Sequence, residues 1–132
     1  MTAAELFAYA NVLAVKNGFS PIAAQQREKD PDLVFPGDRL VLPDGRLLQV
    51  GPGHYIYDIA AKEYRRDMAR IGILERQVNV LKGVYAGEKK PEIKQAILKR
   101  ADDIKRLAVT PKSRQRYAAV QASLRELGFA IP

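Results

Sequence analysis

A chain of 132 residues with 47% hydrophobic and 28% charged side chains has the balance of one compact domain, or of a domain with an appendage. No apolar run approaches the roughly 20 residues of a membrane span. The absence of cysteine excludes disulfides, thiolate metal sites and thiol nucleophiles, and a single histidine, His54, excludes a multi-histidine zinc site.

The net charge of +7 is unevenly spread: residues 1–63 carry 6 Lys+Arg and 8 Asp+Glu, whereas residues 64–132 carry 16 and 7. A helical region this basic is expected to present a solvated positive face, suited to an acidic partner, a polyanion or a membrane surface. No Ser-His-Asp set or paired-carboxylate pocket emerges from the spacing, so the sequence reads as non-catalytic and asks for no cofactor. The first residues lack the basic region of a signal peptide, which predicts either a cytosolic chain or one whose signal has been removed.

In chain order, Leu6, Tyr9, Ala10 and Leu13 recur at helical intervals and predict an amphipathic helix over residues 5–15, with Asn17-Gly18 as a left-handed stop. Ser20-Pro21 predicts a second short helical turn reaching about Arg27. Leu40-Val41-Leu42 and Leu47-Leu48-Gln49-Val50 flank Pro43-Asp44-Gly45-Arg46 and predict an antiparallel hairpin, turned at Asp44-Gly45. Leu33, Leu40, Leu42, Leu48, Val50, Ile56 and Ile59 are the expected small core around it.

Beyond Ala60 the positions Tyr64, Met68, Ile71, Leu74, Val78, Leu81 and Tyr85 form a heptad-like stripe, which predicts one helix from about residue 55 to 85. Pro91 starts a second helix through about Leu107, with Ile93, Ile97, Ala101, Ile104 and Ala108 on one face. Thr110-Pro111 caps and starts a third, carrying Tyr117, Val120, Leu124 and Leu127 before Gly128. The fold class is therefore α+β: a two-stranded antiparallel sheet with helices packed on it, then an antiparallel helical hairpin or three-helix region.

Two segments carry a family resemblance. The run Asp30-Pro31-Asp32-Leu33-Val34-Phe35-Pro36-Gly37-Asp38-Arg39-Leu40-Val41-Leu42-Pro43 resembles the closing half of a lysin-motif (LysM) domain. The run Val50-Gly51-Pro52-Gly53-His54-Tyr55-Ile56-Tyr57-Asp58-Ile59-Ala60 is similar to the opening half of the same family. The halves stand in reversed order, a circular permutation that a hairpin at Asp44-Gly45 can close, because the family's first and last strands are antiparallel neighbours. The alternative arrangement is the end of one repeat followed by the start of another. Under permutation, residues 1–65 form the LysM-like domain and 66–132 a basic α-helical tail.

The resemblance implies recognition, without chemistry, of an N-acetylglucosamine-containing glycan such as peptidoglycan, in a shallow groove between two loops. The matching positions are Asp30, Pro31, Leu33 and Val34 on one side, and Gly53, His54, Tyr55 and Ile56 on the other. His54 stands where the family usually has aspartate, Tyr55 where it has a small hydroxyl residue, and Tyr57 where it has tryptophan.

A second class of function is assembly, in which a LysM-like fold serves as structural material in an envelope complex or a phage-tail-like baseplate, with or without self-association through the helical tail. In the tail, Arg65, Arg66, Lys94, Arg100, Lys105, Arg106, Arg114 and Arg116 are the expected basic partner surface, and binding through it should weaken as salt rises. No nucleic-acid-recognition motif accompanies that charge. The implied setting is a bacterial envelope or periplasm if a signal was removed, and a cytoplasmic assembly otherwise.

Overall fold

The computed structural model describes residues 3–18, 33–34, 39–49 and 54–131. Four helices and four short strands follow in the order α1 (Ala3–Lys16), β1 (Leu33–Val34), β2 (Arg39–Val41), β3 (Leu47–Gln49), β4 (His54–Tyr55), α2 (Ile56–Gly87), α3 (Pro91–Leu107) and α4 (Pro111–Glu126). The fold is α+β, as the periodicities predict. The short helical turn expected after Ser20 lies outside the described residues.

The strands form two antiparallel pairs, β2 with β3 and β1 with β4. In the inner pair Arg39 faces Gln49, Leu40 faces Leu48 and Val41 faces Leu47; in the outer pair Leu33 faces Tyr55 and Val34 faces His54. Every partner in both pairs is equidistant from Asp44, so the outer pair continues the register of the inner one. The sequence pattern predicted a single pair; the second arises because the segments between the strands are of equal length on the two sides, which carries the inner register outward.

The turn differs in detail from the expected Asp-Gly pair. Gly45 N donates to Leu42 O at 2.8 Å and Leu42 N to Arg46 O at 2.8 Å, which puts Pro43 and Asp44 at the centre and leaves Gly45 as the third loop residue. This is the three-residue hairpin loop, whose last position is left-handed; Gly45 has φ +93° there, a conformation open to glycine at little steric cost.

The chain forms two compact units: residues 1–67 with 109–111, and residues 68–108 with 112–132. In the first, Leu6, Tyr9, Ala10, Leu13 and Ala14 of α1 are buried together with Leu40, Leu42, Ile59, Ala60 and Tyr64. Tyr9 and Tyr64 meet edge to face, ring centroids 5.5 Å apart. Of the expected core, Leu40, Leu42 and Ile59 are buried and Leu48 is half-buried at the rim of the hairpin. Asn17, expected only to help stop α1, also joins it to the sheet: its amide donates to Leu13 O at 2.8 Å and Val41 O at 2.9 Å, and accepts from Val41 N at 2.7 Å.

In the second unit Ile71, Leu74 and Val78 of α2, Ile97, Ala101, Ile104 and Leu107 of α3, and Leu124 with Phe129 form one core. Tyr85 packs edge to face on Phe129 at 5.1 Å. Glu75 meets Arg116, and Lys82 meets Ser123, each pair 41 residues apart, so α2 and α4 run parallel with α3 returning between them. Leu127, predicted on the buried stripe, is instead partly exposed because α4 ends at Glu126 and Gly128 turns the chain to bring Phe129 into the core.

Candidate functional site

Of the eight residues expected to line a glycan groove, Asp30, Pro31 and Gly53 lie outside the described residues. Leu33, Val34, His54 and Tyr55 form the outer strand pair, and Ile56 is the first residue of α2. The hairpin thus brings the two expected sides together, and it does so by pairing their backbones. Where they pair, backbone groups satisfy one another, so a ligand reaching this edge meets the backbone groups that point outward from the pair.

Behind the hairpin lies a polar cluster that sequence reasoning did not single out. Arg46, just past the turn, pairs through Nε with Asp44 and reaches Asp67 Oδ1 through Nη2 at 3.3 Å. Asp67 accepts a second hydrogen bond on Oδ2 from the Tyr9 hydroxyl at 2.6 Å. Glu63, one turn before Asp67 on the same face of α2, places Oε2 4.0 Å from Arg46 Nη2 and 3.8 Å from Arg66 Nη1. That oxygen is buried, and among the described residues it has no hydrogen-bond partner.

A second node lies in the same unit: Glu5 Oε1 accepts from the Tyr64 hydroxyl at 3.2 Å and from the Thr110 hydroxyl at 2.7 Å. Thr110, expected to cap α4, also donates its hydroxyl to Glu5 of α1.

Burial fixes the electrostatics of the cluster. It pushes Asp67 up to about 6, an effect moderated by the Tyr9 hydrogen bond and the Arg46 charge and reinforced by Asp44 and Glu63. Burial also raises the Tyr9 phenol, with its hydrogen bond to Asp67 and the neighbouring acidic groups acting in the same direction, so the hydroxyl stays a donor. Arg46 therefore serves three carboxyl groups from two elements, with the more exposed Arg66 as a second cation beside Glu63, and the arrangement ties the hairpin tip to α2 and, through Tyr9, to α1. Among the described residues no group of three or more His, Asp or Glu side chains is placed to hold a metal ion, and no helix is long and apolar enough to cross a membrane.

The sequence signal for this cluster was the placement of Glu63 and Asp67 four apart beside Ala60 and Tyr64, on the stripe that otherwise reads as core.

Of the basic positions, Arg65, Arg66, Lys105, Arg106 and Arg114 are exposed, as a solvent-facing surface requires. The other three are committed to neighbours: Lys94 lies 5.4 Å from the centre of the Phe129 ring, Arg100 donates to Gln77 Oε1 at 3.0 Å, and Arg116 grips Glu75 with two nitrogens. Each covers the edge of the three-helix core with its apolar stem, which is why half-burial accompanies the charge. Between α2 and α4 an open groove of about 480 Å³ is lined by residues that include Gly72, Arg76, Asn79, Arg116, Ala119 and Ser123.

Compared with family models, curated proteins and solved structures, the chain matches none. The LysM resemblance therefore rests on the two sequence motifs alone.

Proposed function

We propose that the chain is a non-catalytic, LysM-like binding module that recognises an N-acetylglucosamine-containing glycan, peptidoglycan in the first instance, and that it anchors or organises an assembly at a bacterial envelope. The observation that carries this reading is the shared register of the two strand pairs about Asp44, which joins the closing-half segment at 33–34 to the opening-half segment at 54–55 inside one unit. A permuted motif requires that closure.

The binding edge is short, so affinity for a single site is expected to be modest. Each sugar hydroxyl exchanges water for a protein partner at a net gain of about 0.5–1.5 kcal/mol, and a shallow contact excludes little water. Millimolar to high micromolar dissociation constants for soluble N-acetylglucosamine oligomers follow, with tighter retention on a polymer that engages many copies. Titrating those oligomers into isotope-labelled protein should move the amide resonances of Leu33, Val34, His54 and Tyr55 together and saturably, and Tyr55→Ala should weaken the response without unfolding the hairpin. Unchanged amides at millimolar ligand would leave the fold reading intact and remove the glycan.

A further inference from the structure

The second unit presents a face that its own three helices leave uncovered. Ile73, Val80 and Val84 of α2 are exposed to 39%, 68% and 44%, and their spacing of seven and four residues sets them in one line along the helix. That line flanks the α2–α4 groove, whose nearer wall includes Gly72, Arg76 and Asn79, with Gly83 one turn further along the same side of the helix, and whose other wall includes Ala119 and Ser123. No heavy atom lies within 4 Å of where a Cβ on Gly83 would stand, so its missing side chain is open space on this surface.

The charges along the face are one-sided. Arg70 and Arg76 bracket the aliphatic line, both exposed and neither ion-paired with a described residue, while the neighbouring acid, Glu75, is held by Arg116. One turn beyond Val84, Glu88 is exposed and pairs with Lys90.

We propose that this face is a docking site for an amphipathic helix of a partner protein, one whose apolar stripe is flanked by acidic side chains. Such a helix would lay its apolar residues on Ile73, Val80 and Val84, approach closely over Gly83 and Ala119, and set carboxylates against Arg70 and Arg76, completing a fourth helix of the bundle. Three features select this occupant. The small residues matter only to a partner that brings a backbone close, as a helix does. A second copy of the chain, laid antiparallel, would bring the same unpaired arginines and could offer Arg70 only Glu88, which Lys90 already pairs, and nothing acidic to Arg76. An anionic bilayer is disfavoured because the stripe holds three aliphatic side chains and no aromatic, where helices lying at a lipid interface carry Trp, Phe or Leu. From Ile73 to Val84 the line spans roughly 17 Å, about three helical turns, which sets the length of the complementary segment.

The test uses three probes on the full chain: a synthetic helical peptide with Leu at a and d positions and Glu at the flanks, the same peptide with Lys for Glu, and vesicles containing phosphatidylglycerol. The acidic peptide should bind, move the amides of Ile73, Gly83 and Ala119, and bind at least about tenfold more tightly than its Lys twin. Gly83→Leu, which fills the open surface without touching the core, and Arg76→Glu should each weaken it by about tenfold, while Arg114→Glu, on an exposed position outside the groove lining, should not. Equal binding of the two peptides, shifts confined to other residues, or no binding at millimolar peptide would overturn the proposal. So would concentration-dependent self-association, or vesicle binding, that moves these same amides; the first would assign the face to a second copy and the other to lipid.

Discussion

Replacing Arg46 by methionine is expected to destabilise the first unit by about 3 kcal/mol at neutral pH, the largest effect of any single charge removal in the chain. Removing one partner of a buried ion pair generally costs about 3–5 kcal/mol because the other charge is left without compensation. The lower end applies because the Arg46 side chain is itself 38% exposed, so water shares in its solvation. What remains behind is the unfavourable part: Glu63 and Asp67, whose side chains are 2% and 3% exposed, with Asp44 beside them. Methionine keeps the apolar stem and removes only the guanidinium. Arg39→Met, on an exposed strand position, is the matched control and should cost little.

The pH dependence of that unit follows from Asp67. Its folded pKa of about 6 lies above the ordinary 3.8, so the folded state holds the proton more tightly than the unfolded chain does. The stability this contributes is complete below about 3.8 and is lost as pH rises through about 6. Lowering the pH from 7.5 to 5 is therefore expected to add about 1–2 kcal/mol from this group. Asp67→Asn, which keeps an oxygen to accept from Tyr9, should flatten that dependence, and the Arg46→Met penalty should shrink at pH 5. Denaturant unfolding of the four proteins at the two pH values measures all of this. A penalty for Arg46→Met no larger than for Arg39→Met would show that the cluster is solvated and carries no net stability.

Ile104→Ala is the counterpart in the second unit, with an expected loss of about 2–5 kcal/mol. Ile104 is fully buried among residues that include Ile71, Leu74, Ile97 and Leu124, and helices on both sides prevent the site from collapsing around the lost carbons. For a unit of this size such a loss lowers the thermal midpoint by on the order of 10–20 °C. Leu127→Ala, at a position 39% exposed, should stay within about 1 kcal/mol. A calorimetric scan that found the two equivalent would mean that the three helices do not share one packed core.

Much of the fold was legible because it is written locally. Pro91 and Leu107 bound α3 as predicted, since proline suits the first turn and the apolar face ends where the 3.6-residue period breaks. The long α2 followed from an unbroken heptad-like stripe with no proline. The inner hairpin followed from a turn flanked by two aliphatic runs, although the glycine proved to be the third loop residue.

What was not legible depends on partners distant in sequence. The pairing of Leu33–Val34 with His54–Tyr55 is set by register carried outward from the turn, and two-residue strands beside Pro-Gly segments leave no alternation to read. Glu63 and Asp67 count as surface by residue type, because carboxylates are seldom fully buried unless paired. The cation they share, Arg46, comes from the hairpin, and the hydroxyl that donates to Asp67, Tyr9, from α1, neither of which the α2 sequence contains. The same limit applies to Arg100 and Arg116: composition marked them as free charge, and tertiary packing gave them Gln77 and Glu75.

Co-sedimentation of the full chain with purified, protein-free peptidoglycan, at rising salt and with soluble N-acetylglucosamine oligomers as competitors, tests the binding-module reading most directly. The account predicts retention that survives a salt concentration sufficient to screen the basic helices, and that the oligomers and Tyr55→Ala both diminish. Retention that disappears with salt and ignores the oligomers would show only that a positive surface meets an anionic polymer, and would contradict a glycan site on the hairpin.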